Sequence, residues 1–277
     1  MEKFRLYCTV LCTFLAALCG IIPVDLSGVC MIAHRGYSGF YHQNSREAFE
    51  KAGKAGFGGA ETDVRMTSDG VFVLSHGDYI ELYDGTKMTV ADHTYAELTE
   101  KPLQNSNTPT HLRICTLKEY LEVCKQYGMI CFIELEDEWP PEKIVEVFQY
   151  VRQYYDLSMC EFQSFEMENL LVAHEAFPDL RMMLTCGPYN ETVEQAWTLG
   201  FDIDMAYEFL SREIVEKFHE KGLLVAAYTA NSPAKVVYCA SLGVDFIESD
   251  YISGRTLCDR LNDKLHETVC TKLCPNS

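Results

Sequence analysis

The sequence predicts a (β/α)8 barrel with an insertion after its third strand. Three observations carry that expectation. The 277 residues suit one large α/β barrel. Short apolar, β-rich runs alternate with amphipathic helical stretches from Val29 onward, the pattern of a parallel sheet covered on both faces. Acidic and imidazole side chains recur at the C-terminal ends of separate runs, and in a parallel barrel those ends open onto one mouth.

Residues 1–28 stand apart from that rhythm. Lys3 and Arg5 precede a stretch from Tyr7 to Val24 with no charged side chain, which predicts a signal peptide or short membrane anchor. Cleavage would follow Ala17 or Gly20; the other reading is a buried helix plugging the bottom of the barrel. The barrel domain spans 29–277. Its strand runs are VCMIAH (29–34), GAETDV (59–64), VFVLSH (71–76), MICFIELE (129–136), MCEFQSF (159–165), LRMMLT (180–185), FDIDMAY (201–207), LLVAAYT (223–229) and DFIESD (245–250). Helical stripes lie between them: Ala48, Phe49 and Ala52; Leu117, Leu121 and Cys124; Ile144, Val145 and Phe148. Nine runs are one more than a closed ring needs, so one is misread or lies outside it. An open doubly wound sheet is the alternative, but no Gly-rich phosphate loop follows the first run. Residues 77–113 break the alternation with turn signals at Asp84-Gly85, Asn105-Ser106-Asn107 and Pro109, and read as a long insertion at a barrel end.

Composition limits the function. Hydrophobic residues are 48% and charged residues 23% of the chain, as in a globular protein with a sizeable core. A formal charge of −18 argues against nucleic acid and anionic lipid as partners through broad electrostatics. It also repels phosphate esters, so phosphate chemistry here needs a metal ion or a placed Arg. None of the 13 cysteines forms a CxxC pair, so a zinc site is not indicated. Cys30, Cys131 and Cys160 fall inside strand runs, favouring a reducing, cytoplasmic compartment, whereas the N-terminal stretch favours secretion or membrane anchoring; Cys258, Cys270 and Cys274 are placed to bridge.

The chemistry-bearing residues are His34, Glu61 with Asp63, His76, and Glu134 with Glu136. Strand alternation puts Glu61 and Asp63 on one face, and likewise Glu134 and Glu136, with Phe132 on the same side as Glu134. Several carboxylates at one mouth cannot all stay ionised and unpaired. A hard divalent cation resolves this, and oxygen ligands suit Ca2+ or Mg2+. The two imidazoles can serve as acid and base, Arg35 can bind a phosphate bidentately, and Gly36 permits a tight turn.

These residues resemble the glycerophosphodiester phosphodiesterase family. The resemblance rests on His34-Arg35-Gly36, Asn44 with Ala48-Phe49, Gly58 to Val64, Thr67 with Asp69-Gly70, and Val73 to His76. It continues through Thr116-Leu117, Ile133-Glu134, Ser164-Phe165, Thr229 to Asn231 and Gly243 to Asp245. The resemblance implies a TIM-type barrel, a metal on Glu61, Asp63 and Glu134, His34 and His76 as the acid/base pair, and Arg35 and Tyr228 facing the substrate. It implies hydrolysis of a small glycerophosphodiester to glycerol 3-phosphate and an alcohol. Four positions depart from the family pattern: Gln43 stands for Glu, Glu136 for Lys, Tyr228 for Trp, and Gly77 for Asp. These departures keep open a catalytically impaired barrel that binds glycerophosphodiesters; a phospholipase D of the sphingomyelinase type is a third reading.

Overall fold

The computed structural model describes residues 2–18, 28–104 and 112–254. Eight parallel strands close into a barrel: β1 (Cys30–Ala33), β2 (Gly59–Met66), β6 (Ile130–Glu134), β7 (Cys160–Ser164), β8 (Arg181–Cys186), β9 (Asp202–Ala206), β10 (Val225–Tyr228) and β11 (Phe246–Ser249), with β1 pairing both β11 and β2. Helices α2 (Arg46–Ala55), α4 (Leu117–Tyr127), α5 (Pro141–Tyr154), α6 (Met167–Ala176), α7 (Glu191–Leu199), α8 (Arg212–His219) and α9 (Pro233–Leu242) cover the outside.

Local sequence sets the helix ends. Thr116 and Glu119 form a capping box that starts α4, and Asn190 accepts from the backbone N–H groups of Thr192 and Val193 to start α7. Strand alternation then sorts the core. Ile32, Phe132, Met183, Ala226 and Phe246 point inward, and Phe132 meets Phe246 edge-to-face at 5.1 Å between ring centroids. Their neighbours Cys131, Ile133, Phe162 and Val225 point outward into the larger core beneath the helices. Cys131, Cys160 and Cys186 sit there as small buried apolar groups, Cys30 is half-buried against the inner cluster, and nine cysteines among the described residues are free thiols. Cys258, Cys270 and Cys274 lie outside the described residues.

The surplus strand is β3 (Phe72–Leu74), so the run 71–76 is not the third barrel strand. β2 is eight residues long and overruns the ring; its end pairs antiparallel with β3 through Val64–Leu74 and Met66–Phe72. The insertion therefore falls between the second and third strands of the ring. It is also less loop-like than its turn signals suggest. The hairpin β4 (Tyr79–Glu81) and β5 (Lys87–Thr89) and the short α3 (Tyr95–Leu98) pack around Val73, Ile80, Leu82, Val90, Leu98, Leu103 and Ile114. Residues 105–111 lie outside the described part.

At the N-terminus, α1 (Glu2–Leu18) is a 17-residue helix that packs beside α9, with Val10 buried in the main core. Among the described residues, no helix is long and apolar enough to cross a membrane.

Candidate active site

The inward-facing polar residues at the C-terminal strand ends share one cavity of about 150 Å³, lined by His34, Arg35, Glu61, His76, Glu134, Glu136, Gln163, Phe165, Thr185, Asp204, Tyr228 and Glu248. Register puts them there. Asp63 sits opposite Glu134 across the β2–β6 pair, directly above the Glu61–Phe132 step. His76 reaches the same mouth by a different route from the one its sequence position suggests. The backward run of β3 brings the Ser75 N–H to the Asp63 carbonyl at 3.0 Å, which returns the chain to the rim.

The loop after β1 is tightly specified. Arg35 and Asn44 both adopt left-handed backbone conformations, with φ of 56° and 55°. Gly36 has φ 77°, and a Cβ there would lie 2.8 Å from Ala48 Cβ, so only glycine fits. This conformation aims the Arg35 N–H at Glu61 Oε2, 2.8 Å away, and places Arg35 Nε 3.3 Å from Asp63 Oδ2. Asn44 donates to the same Asp63 oxygen at 2.6 Å and is itself oriented by the Thr62 hydroxyl. Gln43 accepts from Arg35 Nη1 at 3.1 Å, so it positions the guanidinium without cancelling its charge, as a Glu there would.

Glu61, Asp63 and Glu134 each bring an oxygen into a group whose members all lie within 4.8 Å of one another. Each also has one oxygen tethered by a donor. Glu61 Oε2 takes the Arg35 N–H, Asp63 Oδ2 takes Asn44 and Arg35, and Glu134 Oε1 takes the Thr185 hydroxyl at 3.0 Å. Glu61 Oε1 and Asp63 Oδ1 are buried with no hydrogen-bond partner. Two orphaned carboxylate oxygens beside a third carboxylate are costly unless a cation meets them, and all-oxygen donors are what Ca2+ or Mg2+ takes. The residues present thus fit a hard divalent ion.

The electrostatics agree. Burial, then the charges of Asp63, Glu248 and Glu134, hold Glu61 well above the usual carboxylate range, against the pull of Arg35. Glu134 is pushed up to about 8 by burial and by Asp63 and Glu248, despite the Thr185 hydrogen bond. Burial, then the charges of Glu248 and Glu134, hold Asp204 well above the ordinary Asp range. These shifts favour the protonated carboxyls, so a metal ion competes with protons for the site.

The two histidines are supported differently. His34 Nδ1 bonds Asp250 Oδ1 at 2.7 Å, and Asp250 also accepts from Ser38 at 2.9 Å and Asn231 at 2.5 Å. Although burial opposes it, His34 and these donors hold Asp250 below the ordinary Asp range. An ionised Asp250 on Nδ1 fixes the ring and leaves Nε2 for chemistry. His76 is 41% exposed and stands 3.6 Å from Glu136 Oε1, while the far Glu136 oxygen lies 3.6 Å from Arg65 Nη2. Arg65 also donates to the His76 carbonyl at 2.8 Å and pairs with Asp137. Glu136, the departure that most disfavours a phosphate, is therefore partly offset by Arg65. The Tyr228 ring lines the cavity, but its hydroxyl donates to the Cys186 carbonyl at 2.9 Å, leaving mainly its ring for the substrate.

Sequence reasoning missed Asp204, Glu248, Asp250 and Gln163, and gave Asn231 no role beyond its place in the resemblance. Gln163 donates to both Asp204 and Glu248, at 3.2 and 3.0 Å, and ties them under the cavity. The signal was present. The runs FDIDMAY and DFIESD carry acidic residues at alternate positions, as GAETDV does.

Residues 34–253 match the family model described as the glycerophosphoryl diester phosphodiesterase family. A glycerophosphodiester phosphodiesterase of Bacillus altitudinis is 28% identical over 233 residues, covering 80% of this chain and 94% of its own length. Glycerophosphodiester phosphodiesterase 1 of Bos taurus is 26% identical over 275 residues, covering 82% of this chain and 80% of its own. Among solved structures, a glycerophosphodiester phosphodiesterase of Parabacteroides distasonis superposes with a TM-score of 0.69 at 25% identity, covering 87% of this chain and 98% of its own. An Oleispira antarctica phosphodiesterase, solved with the product sn-glycerol-3-phosphate, shares the fold with a TM-score of 0.75 at 24% identity, covering 86% and 96% of the two chains.

Proposed function

The chain belongs to the glycerophosphoryl diester phosphodiesterase family, and from that premise we propose that it hydrolyses glycerophosphodiesters to glycerol 3-phosphate and an alcohol with the help of a divalent metal ion, Ca2+ or Mg2+. The observation that carries this reading is the trio Glu61, Asp63 and Glu134, which bring carboxylate oxygens within 4.8 Å of one another, with buried oxygens of Glu61 and Asp63 left without a partner.

Glu61, Asp63 and Glu134 would hold the ion, which when bound polarises a phosphoryl oxygen. Arg35 binds the phosphate, its guanidinium pre-oriented by Gln43. His34, anchored by Asp250, takes the proton from the substrate glycerol hydroxyl that attacks phosphorus, and water then opens the resulting cyclic phosphate to glycerol 3-phosphate. His76 lies on the solvent side and gives a proton to the leaving alcohol, which departs outward. The wall formed by Phe165 and Tyr228, whose rings meet edge-on at 6.5 Å, packs against the glycerol carbons.

The test follows release of glycerol 3-phosphate from glycerophosphocholine with added Ca2+ or Mg2+ and after chelation. Turnover should vanish with chelator and fall by roughly 10²–10⁴-fold in His34→Ala, the span of one acid/base group. Turnover untouched by chelation would overturn the metal requirement. Glu136 favours one other reading, an impaired barrel. An inactive wild-type protein with a gain in Glu136→Lys would establish it.

A further inference from the structure

Glu136 stands where the family pattern has Lys, and His76 faces it across the mouth without bonding to it. Glu136 Oε1 and His76 Nε2 are 3.6 Å apart, too far for a hydrogen bond. The gap is instead the spacing of two ligands on one ion, since atoms each about 2.0–2.1 Å from a Zn2+ lie roughly 3.3–3.6 Å from each other. Asp63 completes the group. One donor atom from each of Asp63, His76 and Glu136 lies within 4.8 Å of the other two. Arginines neutralise one oxygen of each carboxylate, Arg65 Nη2 at 3.6 Å from Glu136 Oε2 and Arg35 Nε at 3.3 Å from Asp63 Oδ2. Asp63 Oδ1 has no hydrogen-bond partner, although Asp63 is only 1% exposed.

This donor set differs in kind from the all-oxygen trio of Glu61, Asp63 and Glu134. Ca2+ and Mg2+ take oxygen ligands, whereas imidazole suits Zn2+ and similar transition-metal ions. The lack of a CxxC pair argued only against a thiolate zinc site. Resting on the phosphodiesterase reading above, we propose that Asp63, His76 and Glu136 form a second cation site, selective for Zn2+ over Ca2+ and Mg2+, and that filling it inhibits turnover. Asp63 is common to both groups and lies between the two ions. His76 and Glu136 are partly exposed, so the site is reached from solvent and a fourth ligand position stays open to water. Hard ions leave the imidazole free to protonate the leaving alcohol. Zn2+ takes the nitrogen lone pair that would carry that proton. A Lys at position 136 would repel the ion, so this sensitivity belongs to the departure from the family pattern and not to the pattern itself.

The test titrates Zn2+ into the full chain at saturating Ca2+ by calorimetry, counts both metals after dialysis, and follows glycerophosphocholine turnover alongside. Wild type should take up one Zn2+ per chain while keeping its Ca2+, and at saturation should lose turnover by roughly 10²–10⁴-fold, the span of one acid/base group. Glu136→Gln and His76→Asn, tested separately so that one misfolded variant does not decide the matter, should each weaken Zn2+ binding at least about tenfold, since losing a group that merely supports a ligand already costs roughly 10–100-fold. In Glu136→Gln the Zn2+ concentration for half-inhibition should rise by the same factor as the binding constant. Glu142→Gln, an exposed acid in the first turn of α5, should change neither. The proposal is overturned if Zn2+ binds only by displacing Ca2+, if Glu134→Gln weakens it and the Glu136 and His76 variants do not, or if bound Zn2+ leaves turnover unchanged. No turnover in any form, with Zn2+ binding still lost in the Glu136 and His76 variants, would sink the activity assignment, and inhibition with it, and leave the site standing.

Discussion

The two ends of this barrel solve the same electrostatic problem in opposite ways. At the N-terminal end, the buried carboxylates of Glu161 and Asp202 flank Arg181, which reaches Glu161 Oε1 at 3.1 Å and Asp202 Oδ2 at 2.6 Å. The second Asp202 oxygen takes the Leu224 N–H at 2.6 Å. At the C-terminal end, Glu61, Asp63, Glu134, Asp204 and Glu248 face Arg35, and buried oxygens of Glu61, Asp63 and Asp204 lack a partner. The first cluster sets one guanidinium against two carboxylates, and only Glu161 Oε2 is left buried without a partner. The second is under-neutralised by design of its neighbours, since Asn44, Thr185 and the Arg35 N–H orient carboxylates without supplying enough charge. What separates the structural acidic cluster from the candidate metal centre is therefore the ratio of acids to cations supplied by the chain, two to Arg181 at one end and five to Arg35 at the other.

The sharpest way to break that contrast is to neutralise one acid at each end. Glu61→Gln should lower kcat/KM by on the order of 10³-fold or more, the scale of losing a cation that stabilises transition-state charge. It should also leave the metal-free protein as stable as wild type or more so, because one member of a repelling set is gone. Calorimetry in chelator checks the second half, and an unfolded variant would mean that Glu61 is structural after all. Arg181→Met should do the reverse. It strands two buried carboxylates and should cost about 2–3 kcal/mol of stability, below the full penalty for breaking a buried pair because Arg181 is 42% exposed, while kcat stays near wild type. Denaturant titration and steady-state kinetics separate the two effects. Between these lies Asp250→Asn. It keeps the shape of the His34 contact but removes the charge that orients the ring, and should slow turnover roughly 10–100-fold with little change in melting temperature. A slowed rate that His34→Ala does not make much worse would tie the effect to His34, as a thermodynamic cycle requires.

The fold was legible because its signal repeats. Alternating runs such as MICFIELE and LLVAAYT put one face toward Phe132 and Ala226 and the other toward the helices, and eight of nine such runs became barrel strands. The misplaced run 71–76 has the same composition as its neighbours. What excludes it from the ring is the length of β2, an antiparallel pairing that local pattern does not encode. In the candidate site, Glu134 stood out because it ends the apolar strand β6, and Glu61 and Asp63 because they alternate along the run GAETDV. Asp250 and Asn231 did not, because their roles exist only through contacts across 216 and 19 residues of chain. The compensation of Glu136 by Arg65 was hidden for the same reason: residue 65 lies on the part of β2 beyond the ring, where a strand pattern gives no sense of proximity.

The smallest expected effect, and the one that discriminates the ends most finely, is a pH dependence of stability. Glu134 at the mouth and Glu161 at the base are both pushed up to about 8, in each case chiefly by burial, with Asp63 and Glu248 adding to the first and Asp202 to the second. An acid whose folded pKa lies above its unfolded value near 4.5 is held protonated by the fold. Its contribution is fully present below 4.5 and is lost as pH rises toward 8, because over that window the native state binds a proton that the unfolded chain has released. Metal-free protein should therefore melt at progressively lower temperature between those two pH values. Saturating Ca2+ or Mg2+ should remove the part that belongs to Glu134, since the ion needs its carboxylate ionised, and should leave the part that belongs to Glu161 untouched. Glu161→Gln should remove the remainder. A pH profile that metal does not alter, or one that Glu161→Gln alone flattens, would mean that the mouth carboxylates are already neutralised within the chain, and the two ends would no longer differ in kind.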